Sequence, residues 1–550
     1  MRHLYSLFLA SAALLFTVRA FPSTTPTLEL RADTFENPVL WQDHPDLDVF
    51  RIGDVYYYSS SSFAFSPGAP LLKSYDLVHW TPVSHSVPRL NFGDKYDLLT
   101  SSSRAYVKGI WASTLRYRKS SDTFIWLGCI ESGQTYVWTA DGTNAAKNNG
   151  EVSNWTWKSK GTLPRCYYDS GLFIDDDDTM YVAYGSKEIM VAQLNAAGTA
   201  EVKSQQVYAS PDGAYIEGSR MYKINGTYYI FVTKPADDEW VLKSSSPWGP
   251  YERRILVDSI AGPLSNAGNS HQGGIVDTKD GKWYYVAFMD AYPGGRIPVV
   301  APLTWTQDGW PEVTRVNGEW GKTYPLPVRT DKTVPPPTNI DTFMGPSLSH
   351  EWEWNHNPDN SKWKFVGSSG GIQLQTATIT TDLFSARNTL THRILGPKSS
   401  GTFRIDISKM ASGDRAGAVL FRDVAAYIGI HKEGAVSTLV MVNNLNLTMS
   451  TWATSSSGKV AASGPTVAAG TTDLWLRVEA DITPAFGTST ARKATFWYSL
   501  DGKKFSQLGD PFSLTNTWQF FTGYRFGVFN FATKALGGQV AVKSFQLQKL

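Results

Sequence analysis

The stretch Gly53-Asp54-Val55-Tyr56-Tyr57 joins a turn dipeptide to the start of an aromatic strand. Such a pair before β-branched and aromatic residues is typical of a β-hairpin. The pattern recurs at intervals of roughly 45–70 residues, about the length of a four-stranded propeller blade with its loops. The further copies begin at Asp122, Asp178, Gly226 and Gly281. Five copies predict a five-bladed β-propeller, and the alternative is five unrelated hairpins of a sandwich.

A Pro-rich stretch divides the chain of 550 residues, which is too long for one ordinary domain. Residues 334–338 have polyproline character and are predicted to be a linker. Residues 30–333 carry the blade pattern. Residues 339–550 carry alternating strand patterns and predict a β-sandwich of the jelly-roll type. Helical periodicity is scarce, so the whole chain is predicted to be all-β.

The composition excludes several partners. The chain has 51 basic and 49 acidic residues without a basic patch, so we expect no nucleic-acid partner. Aromatic residues make up 13%, which suits both strand packing and stacking on sugar rings. No CxxC or HExxH motif occurs, so zinc is not expected.

The N-terminus has the pattern of a secretory signal peptide over residues 1–20, with cleavage before Phe21. No later stretch is long and apolar enough to span a bilayer, so we expect a secreted monomer with no membrane partner. Glycosylation is predicted at the sequons of Asn154, Asn225 and Asn446. An oxidising compartment permits a disulfide between Cys129 and Cys166, and the sequence leaves that pairing open.

One distinctive residue stands upstream of each hairpin turn, where the innermost strand of a blade would begin. Innermost strands converge on the propeller axis, so these side chains are predicted to meet in one funnel. They are Asp46, Trp111, Asp169, Glu217 and His271.

Three carboxylates in one funnel suit glycoside hydrolysis. One acts as a proton donor to the leaving oxygen, and a second activates water or attacks directly. A third carboxylate near the acid keeps that acid protonated by like-charge repulsion. The alternative is that each carboxylate caps a strand end, but three at equivalent repeat positions favour a site.

Several motifs extend this pattern. In the first part of the chain they are His44-Pro45-Asp46, Gly109-Ile110-Trp111-Ala112-Ser113, Tyr168-Asp169-Ser170-Gly171, Ile216-Glu217-Gly218, Ser270-His271-Gln272-Gly273 and Trp305-Thr306-Gln307-Asp308-Gly309-Trp310-Pro311. In this order they resemble glycoside hydrolase family 43. The segments starting at Glu351 and Gly523 resemble the appended β-sandwich of that family. Among the members of the family, the chain resembles two-domain fungal enzymes of the arabinofuranosidase or β-xylosidase type, in particular arabinofuranosidases that act on arabinoxylan.

The resemblance implies an inverting mechanism with Asp46 as general base and Glu217 as general acid. Asp169 then raises the pKa of the acid and orients it. Inversion implies roughly 6.5–9.5 Å between the carboxyl groups of Asp46 and Glu217. Arg296 matches a substrate-contacting arginine of the family. His271 matches an axial histidine near a possible Ca²⁺, which would be held mostly through water, and no cofactor is required.

The chain also departs from the family pattern. Asp48 stands where the family often has serine, and Gly218 is followed by Ser219-Arg220 instead of proline. In a strand, alternate residues share a face. Asp48 is therefore predicted to face the pocket with Asp46, and Tyr167 with Asp169. Packing in the strand is the alternative for Tyr167, and a surface salt bridge is the alternative for Arg296.

These observations predict a secreted, exo-acting α-L-arabinofuranosidase that removes arabinose side chains from arabinoxylan. A β-xylosidase or an arabinanase on the same site is the alternative within the class. A non-catalytic carbohydrate-binding propeller is the alternative outside it. The three carboxylates argue against the latter, because a lectin needs no proton donor.

Overall fold

The strands follow the turns that the sequence repeat predicts. The computed structural model describes residues 33–367, 370–468 and 470–550, so the predicted signal peptide lies outside the described residues. Within those ranges the regular structure consists of β-strands and three short 3-10 helices, Asp94–Tyr96, Pro211–Gly213 and Leu383–Ser385. The all-β prediction is confirmed.

Five antiparallel four-stranded sheets form the blades of a propeller, as predicted. In chain order their strands are Asp48–Ile52, Val55–Ser59, Gly68–Ser74 and Thr81–Val87 (blade 1); Thr114–Arg118, Thr123–Cys129, Thr135–Asp141 and Trp157–Leu163 (blade 2); Gly171–Ile174, Met180–Tyr184, Glu188–Leu194 and Glu201–Ala209 (blade 3); Glu217–Ile224, Thr227–Lys234, Asp238–Ser244 and Glu252–Asp258 (blade 4); and Ser270–Asp277, Trp283–Asp290, Arg296–Trp305 and Pro311–Val313 (blade 5). All five predicted turns join the first and second strands of a blade.

The first strand of each blade is the innermost one. Each of these strands contacts the first strand of the next blade, and blade 5 contacts blade 1, so the ring is closed. A separate two-stranded sheet joins Thr34–Glu36 to Thr323–Pro325 and ties the two ends of the propeller together.

Two large antiparallel sheets form the predicted C-terminal sandwich. The first sheet contains Ile340–Asp341, Trp363–Phe365, Ile372–Gln375, Lys398–Asp406, Leu474–Asp481, Lys493–Ser499, Ser506–Gln507, Phe512–Ser513 and Gln539–Lys549. The second contains Trp352–Asn355, Leu390–Arg393, Asp414–Phe421, Val424–Glu433, Val436–Leu447, Thr454–Val467 and Arg525–Ala532. Side chains of both sheets interdigitate in one hydrophobic core.

The propeller and the sandwich share a sheet. The two-residue strand Phe65–Ser66, from the propeller, is the edge strand of the second sandwich sheet and pairs with Trp352–Asn355. Residues Thr34–Leu550 accordingly form one compact unit. The sandwich is therefore built against the side of blade 1.

Several features left open by the sequence have defined places. Cys129 and Cys166 form a disulfide that joins blade 2 to the segment before blade 3. The sequon residues Asn154 and Asn225 are exposed, whereas Asn446 is half-buried. A search of the described helices finds none that meets the length and hydropathy of a membrane span.

Candidate active site

A cavity of about 150 Å³ opens at the propeller axis. The three predicted catalytic carboxylates all line it, together with Trp111 and Arg296. The remaining lining residues are Phe63, Val107, Ala112, Tyr168, Gln272 and Phe521. The repeat therefore brought residues of four blades to one pocket, as innermost strands should.

The carboxyl group of Asp46 is held at both oxygens. The hydroxyl of Ser61 donates to Oδ2 at 2.6 Å, and Nη1 of Arg296 forms an ion pair with Oδ1 at 2.5 Å. Asp46 is only 5% exposed. Its rotamer is therefore fixed by blades 1 and 5 before any substrate binds.

Glu217 is the first residue of the inner strand of blade 4. The hydroxyl of Tyr168 donates to its Oε2 at 2.7 Å. Burial raises the pKa of Glu217, and the charge of Asp46 adds to this, while the hydrogen bond from Tyr168 lowers it. The balance is a raised pKa, which suits a general acid.

Asp169 lies two residues before the inner strand of blade 3. Burial raises its pKa well above the ordinary value, followed by the charges of Glu217 and Asp46. Arg220 and Arg296 lower it. Because Asp169 and Glu217 oppose each other's ionisation, the pair retains a proton at a pH where an ordinary carboxyl group has lost it.

Two residues predicted from strand parity do not line the pocket. Tyr167 is fully buried in a hydrophobic cluster, and its hydroxyl donates to Glu201 at 2.9 Å. Asp48 is also buried and binds Arg116 at 2.5 Å and Thr114 at 2.7 Å. The prediction that Asp48 and Tyr167 face the pocket is therefore wrong.

The physical reason is the backbone before each inner strand. Asp46 and Asp169 have φ angles of 55° and 50°, in the left-handed region. Alternation of side chains holds only within extended backbone. A single left-handed residue breaks this alternation. Tyr168 therefore faces the cavity, whereas alternation along the strand had predicted Tyr167.

His271 has a different place from the one predicted. Its ring packs on Phe288, its Nδ1 lies 3.0 Å from the carbonyl oxygen of Asn269, and its neighbour Gln272 lines the cavity instead. No group of three or more His, Cys, Asp or Glu side chains within the described ranges could hold a metal ion. A Ca²⁺ held mostly through water needs no such group, so the calcium ion near His271 stays a prediction.

The sandwich supplies part of the pocket. Phe521 precedes the strand Arg525–Ala532 and stacks on Phe63 with ring centroids 5.7 Å apart. Its carbonyl oxygen accepts from Nε of Arg296 at 3.3 Å. Asp43 accepts from the backbone N–H of Arg296 at 2.8 Å and of Gly523 at 2.9 Å. One carboxylate therefore joins blade 1, blade 5 and the sandwich beside the site.

Six lining residues were not predicted from the sequence, namely Phe63, Val107, Ala112, Tyr168, Gln272 and Phe521. Tyr168 and Gln272 are direct neighbours of residues that the sequence did predict. Only the left-handed backbone decides which of the two neighbours faces the cavity. Phe521 lies in the second domain, and no periodic signal in the sequence marks it.

Comparisons with known proteins agree with this geometry. The family model described as glycosyl hydrolases family 43 matches residues 35–311. The model described as the β-xylosidase C-terminal concanavalin A-like domain matches residues 340–548.

Similar proteins cover most of the chain. A GH43 glycoside hydrolase structure, described as engineered in its active site to display both endo-xylanase and exo-arabinofuranosidase activity, is 61% identical with a TM-score of 0.92. The match covers 94% of this chain and all of that one. A β-xylosidase of Formosa agariphila is 28% identical over 93% of this chain and 90% of its own.

A non-reducing end α-L-arabinofuranosidase of Bacteroides ovatus is 26% identical over 72% of this chain and 75% of its own. The matched models, the propeller with its three axial carboxylates and the sandwich that completes the pocket lead to one conclusion. The chain belongs to glycosyl hydrolases family 43.

Proposed function

We propose that this enzyme is an exo-acting α-L-arabinofuranosidase that removes arabinose side chains from arabinoxylan with inversion. The observation that carries the proposal is the small cavity in which Asp46, Asp169, Glu217 and Arg296 meet. Its volume of about 150 Å³ is below the roughly 300–1,000 Å³ of pockets for larger ligands. A cavity of this size suits one sugar ring and not a run of several.

The proposed reaction needs one proton donor and one acceptor. Asp46 takes a proton from a water molecule while the water oxygen attacks the anomeric carbon. The bond from that carbon to the leaving oxygen breaks, and Glu217 gives its proton to the leaving oxygen. Asp169, buried beside Glu217, favours the protonated form of the acid by repulsion.

Arg296 has a further role in holding the sugar. Its Nη1 is paired with Asp46, whereas the buried Nη2 has no hydrogen-bond partner within the described part of the chain. An unpaired buried donor costs free energy, so a sugar hydroxyl that accepts from Nη2 gains affinity. Trp111, which lines the same cavity, offers an aromatic face to the ring.

Support for arabinose comes from the similar structure with exo-arabinofuranosidase activity in its description, 61% identical to this chain. A second candidate is a β-xylosidase. The Formosa agariphila relative carries that name, and so does the model that matches residues 340–548. Both candidates use the same carboxylates and differ in the sugar that the cavity selects.

Hydrolysis of p-nitrophenyl α-L-arabinofuranoside, p-nitrophenyl β-D-xyloside and arabinoxylan, measured side by side, tests the proposal. We expect free arabinose from arabinoxylan, with its first-formed anomer inverted in the NMR spectrum. Shortening of xylo-oligosaccharides alone would establish the β-xylosidase instead. Binding of arabinoxylan without release of any sugar would support the non-catalytic alternative.

We also propose that the enzyme is secreted as a glycosylated monomer. The disulfide between Cys129 and Cys166 supports an oxidising compartment, and the exposure of Asn154 and Asn225 leaves both sequons accessible. Mass spectrometry of the secreted protein tests cleavage before Phe21 and modification of each asparagine. Light scattering tests the oligomeric state.

A further inference from the structure

A buried guanidinium lies directly behind the three carboxylates. Arg220 is the fourth residue of the inner strand of blade 4, and it is 1% exposed. Its nitrogens donate to four backbone carbonyl groups. Nε bonds Leu47 at 2.9 Å, Nη2 bonds Asp46 at 3.0 Å, and Nη1 bonds Ser170 and Ser219, each at 2.8 Å.

The acceptors adjoin every carboxylate of the proposed mechanism. One is the carbonyl group of Asp46 itself. Ser170 follows Asp169 directly, and Ser219 stands two residues after Glu217. One side chain therefore binds the backbone of blades 1, 3 and 4 at the three points where catalytic groups project.

The backbone at these points needs such support. Asp46 and Asp169 have φ angles of 55° and 50°, in a region that is unfavourable for residues other than glycine. A strained conformation persists only where its surroundings fix it. The planar guanidinium group of Arg220 donates hydrogen bonds in several fixed directions, so it holds several carbonyl groups in place at once.

Arg220 also places a buried positive charge near the catalytic carboxylates. Asp48 lies 3.7 Å from its Nε, and the carboxyl group of Glu239 is buried within its electrostatic reach. Arg220 lowers the pKa of Asp169 against the effect of burial. Several charged and titratable groups face Arg220 or Asp169, and they are Asp46, Asp48, Tyr168, Tyr215, Glu217, Tyr222, Glu239 and Arg296, with Arg116 behind Asp48.

We propose that Arg220 is a positioning residue of this active site, which fixes the backbone of Asp46, Asp169 and Glu217 relative to one another. The proposal rests on the catalytic roles given above. Arg220 does not line the cavity, so it acts through the carboxylates and not on the sugar.

Arg220→Lys tests whether the hydrogen bonds of Arg220 hold the backbone of the catalytic residues in place. Lysine keeps the charge but is a compact donor that cannot reproduce the planar fork on four carbonyl groups. We expect kcat to fall about 100-fold, as for small misplacements of catalytic groups, with little change in KM. The matched control is Arg116→Lys, because Arg116 is a half-buried arginine of another inner strand that shares Asp48 but bonds none of the three catalytic residues. Its kcat should stay near the wild-type value.

Arg220→Met tests the charge. Without the cation the pKa of Asp169 rises, so its ionised form is lost at a higher pH. The acid limb of the profile of kcat/KM against pH should therefore move up by about one pH unit. Arg116→Met is the control, and it should leave the acid limb in place.

Removing Arg220 alone takes away the cation that opposes the effect of burial on the carboxyl group of Glu239, and this can prevent folding. The double variant Arg220→Met/Glu239→Gln also replaces that buried carboxyl group by a neutral amide, which limits this cost. It should fold, as circular dichroism would show, and still lose kcat about 100-fold.

Wild-type kcat in folded Arg220→Lys and in the double variant would overturn the proposal. Wild-type activity of Glu217→Gln would instead overturn the catalytic roles. An inactive Glu217→Gln beside a fully active Arg220→Lys refutes only the role of Arg220.

Discussion

Two buried carboxylate clusters in this molecule have opposite electrostatics. In the active site, the buried Asp169 and the half-buried Glu217 lie with Asp46 in one cavity, and the pKa values of Asp169 and Glu217 are raised. At the junction of propeller and sandwich, Glu353 is fully buried but bonds Arg393 at 2.9 Å and Arg525 at 2.6 Å. Burial opposes its ionisation, yet these two cations hold its pKa well below the ordinary range.

The difference shows that burial alone does not decide what a carboxylate does. Glu353 also lies 3.1 Å from Nε2 of His85 in blade 1, so its charge joins the two domains. The active-site carboxylates face one another, and their repulsion favours retention of a proton, as the proposed general acid requires. A carboxylate paired with cations stabilises the fold, whereas carboxylates that repel one another cost stability.

The largest effect is expected for Glu217→Gln, which removes the proton donor and keeps the shape of the side chain. Hydrolysis of arabinoxylan should fall about 10²–10⁴-fold, the usual contribution of a general acid. The free energy of unfolding should be almost unchanged. The loss should be smaller for a p-nitrophenyl glycoside, whose leaving group needs no proton. Glu252→Gln, on the exposed outer strand of the same blade, is the control and should keep full activity.

Glu353→Gln should instead lower the stability of the fold and leave the activity unchanged. It leaves Arg393 and Arg525 buried without their partner, so we expect a loss of about 3–5 kcal/mol in the free energy of unfolding. The folded enzyme should keep its kcat at 25 °C. Denaturant unfolding measures the loss, and Glu479→Gln, a half-buried glutamate of the sandwich, is the control.

The pH dependence of that loss has a definite sign. The pKa of Glu353 is lowered on folding. Its ionised form therefore contributes fully to the free energy of unfolding above about pH 4.3, the pKa of a glutamate in the unfolded chain. It disappears as the pH falls through the lower folded pKa. The stability difference between wild type and Glu353→Gln should shrink in acid, and a constant difference would contradict the assigned ion pairs.

Tyr168→Phe removes the hydrogen bond that lowers the pKa of Glu217. The pKa should rise, and the basic limb of the activity profile should move up by about one pH unit or less. Tyr167→Phe is the matched control. Tyr167 donates to Glu201 in the core, so its variant should leave the basic limb in place.

The smallest expected effect is a gain in stability for Asp169→Asn, accompanied by loss of activity. The pKa of Asp169 is raised on folding, so ionisation of this group in the folded state destabilises the protein as the pH rises. The melting temperature should increase by about one to a few degrees at pH 7, and not at pH 3.5. Asp177→Asn, exposed on the same blade, is the control. Equal melting temperatures for wild type and Asp169→Asn at pH 7 would contradict the repulsion.

The sequence alone determined the number of blades and the positions of the three carboxylates. Local turn chemistry specifies each hairpin, and the recurrence of that hairpin places the same point of each blade at the axis. The Pro-rich stretch likewise preceded the first sandwich strand, Ile340–Asp341.

Only the tertiary structure decided which neighbours of those carboxylates face the sugar. The left-handed backbone at Asp46 and Asp169 breaks the alternation that a sequence pattern assumes, which turned Asp48 and Tyr167 inward to the core. Asp43 and Gly523, 480 residues apart, meet beside Arg296 because the sandwich packs on the propeller. Contacts of that range leave no periodic signal in a sequence, since their residues are neighbours only after both domains have folded.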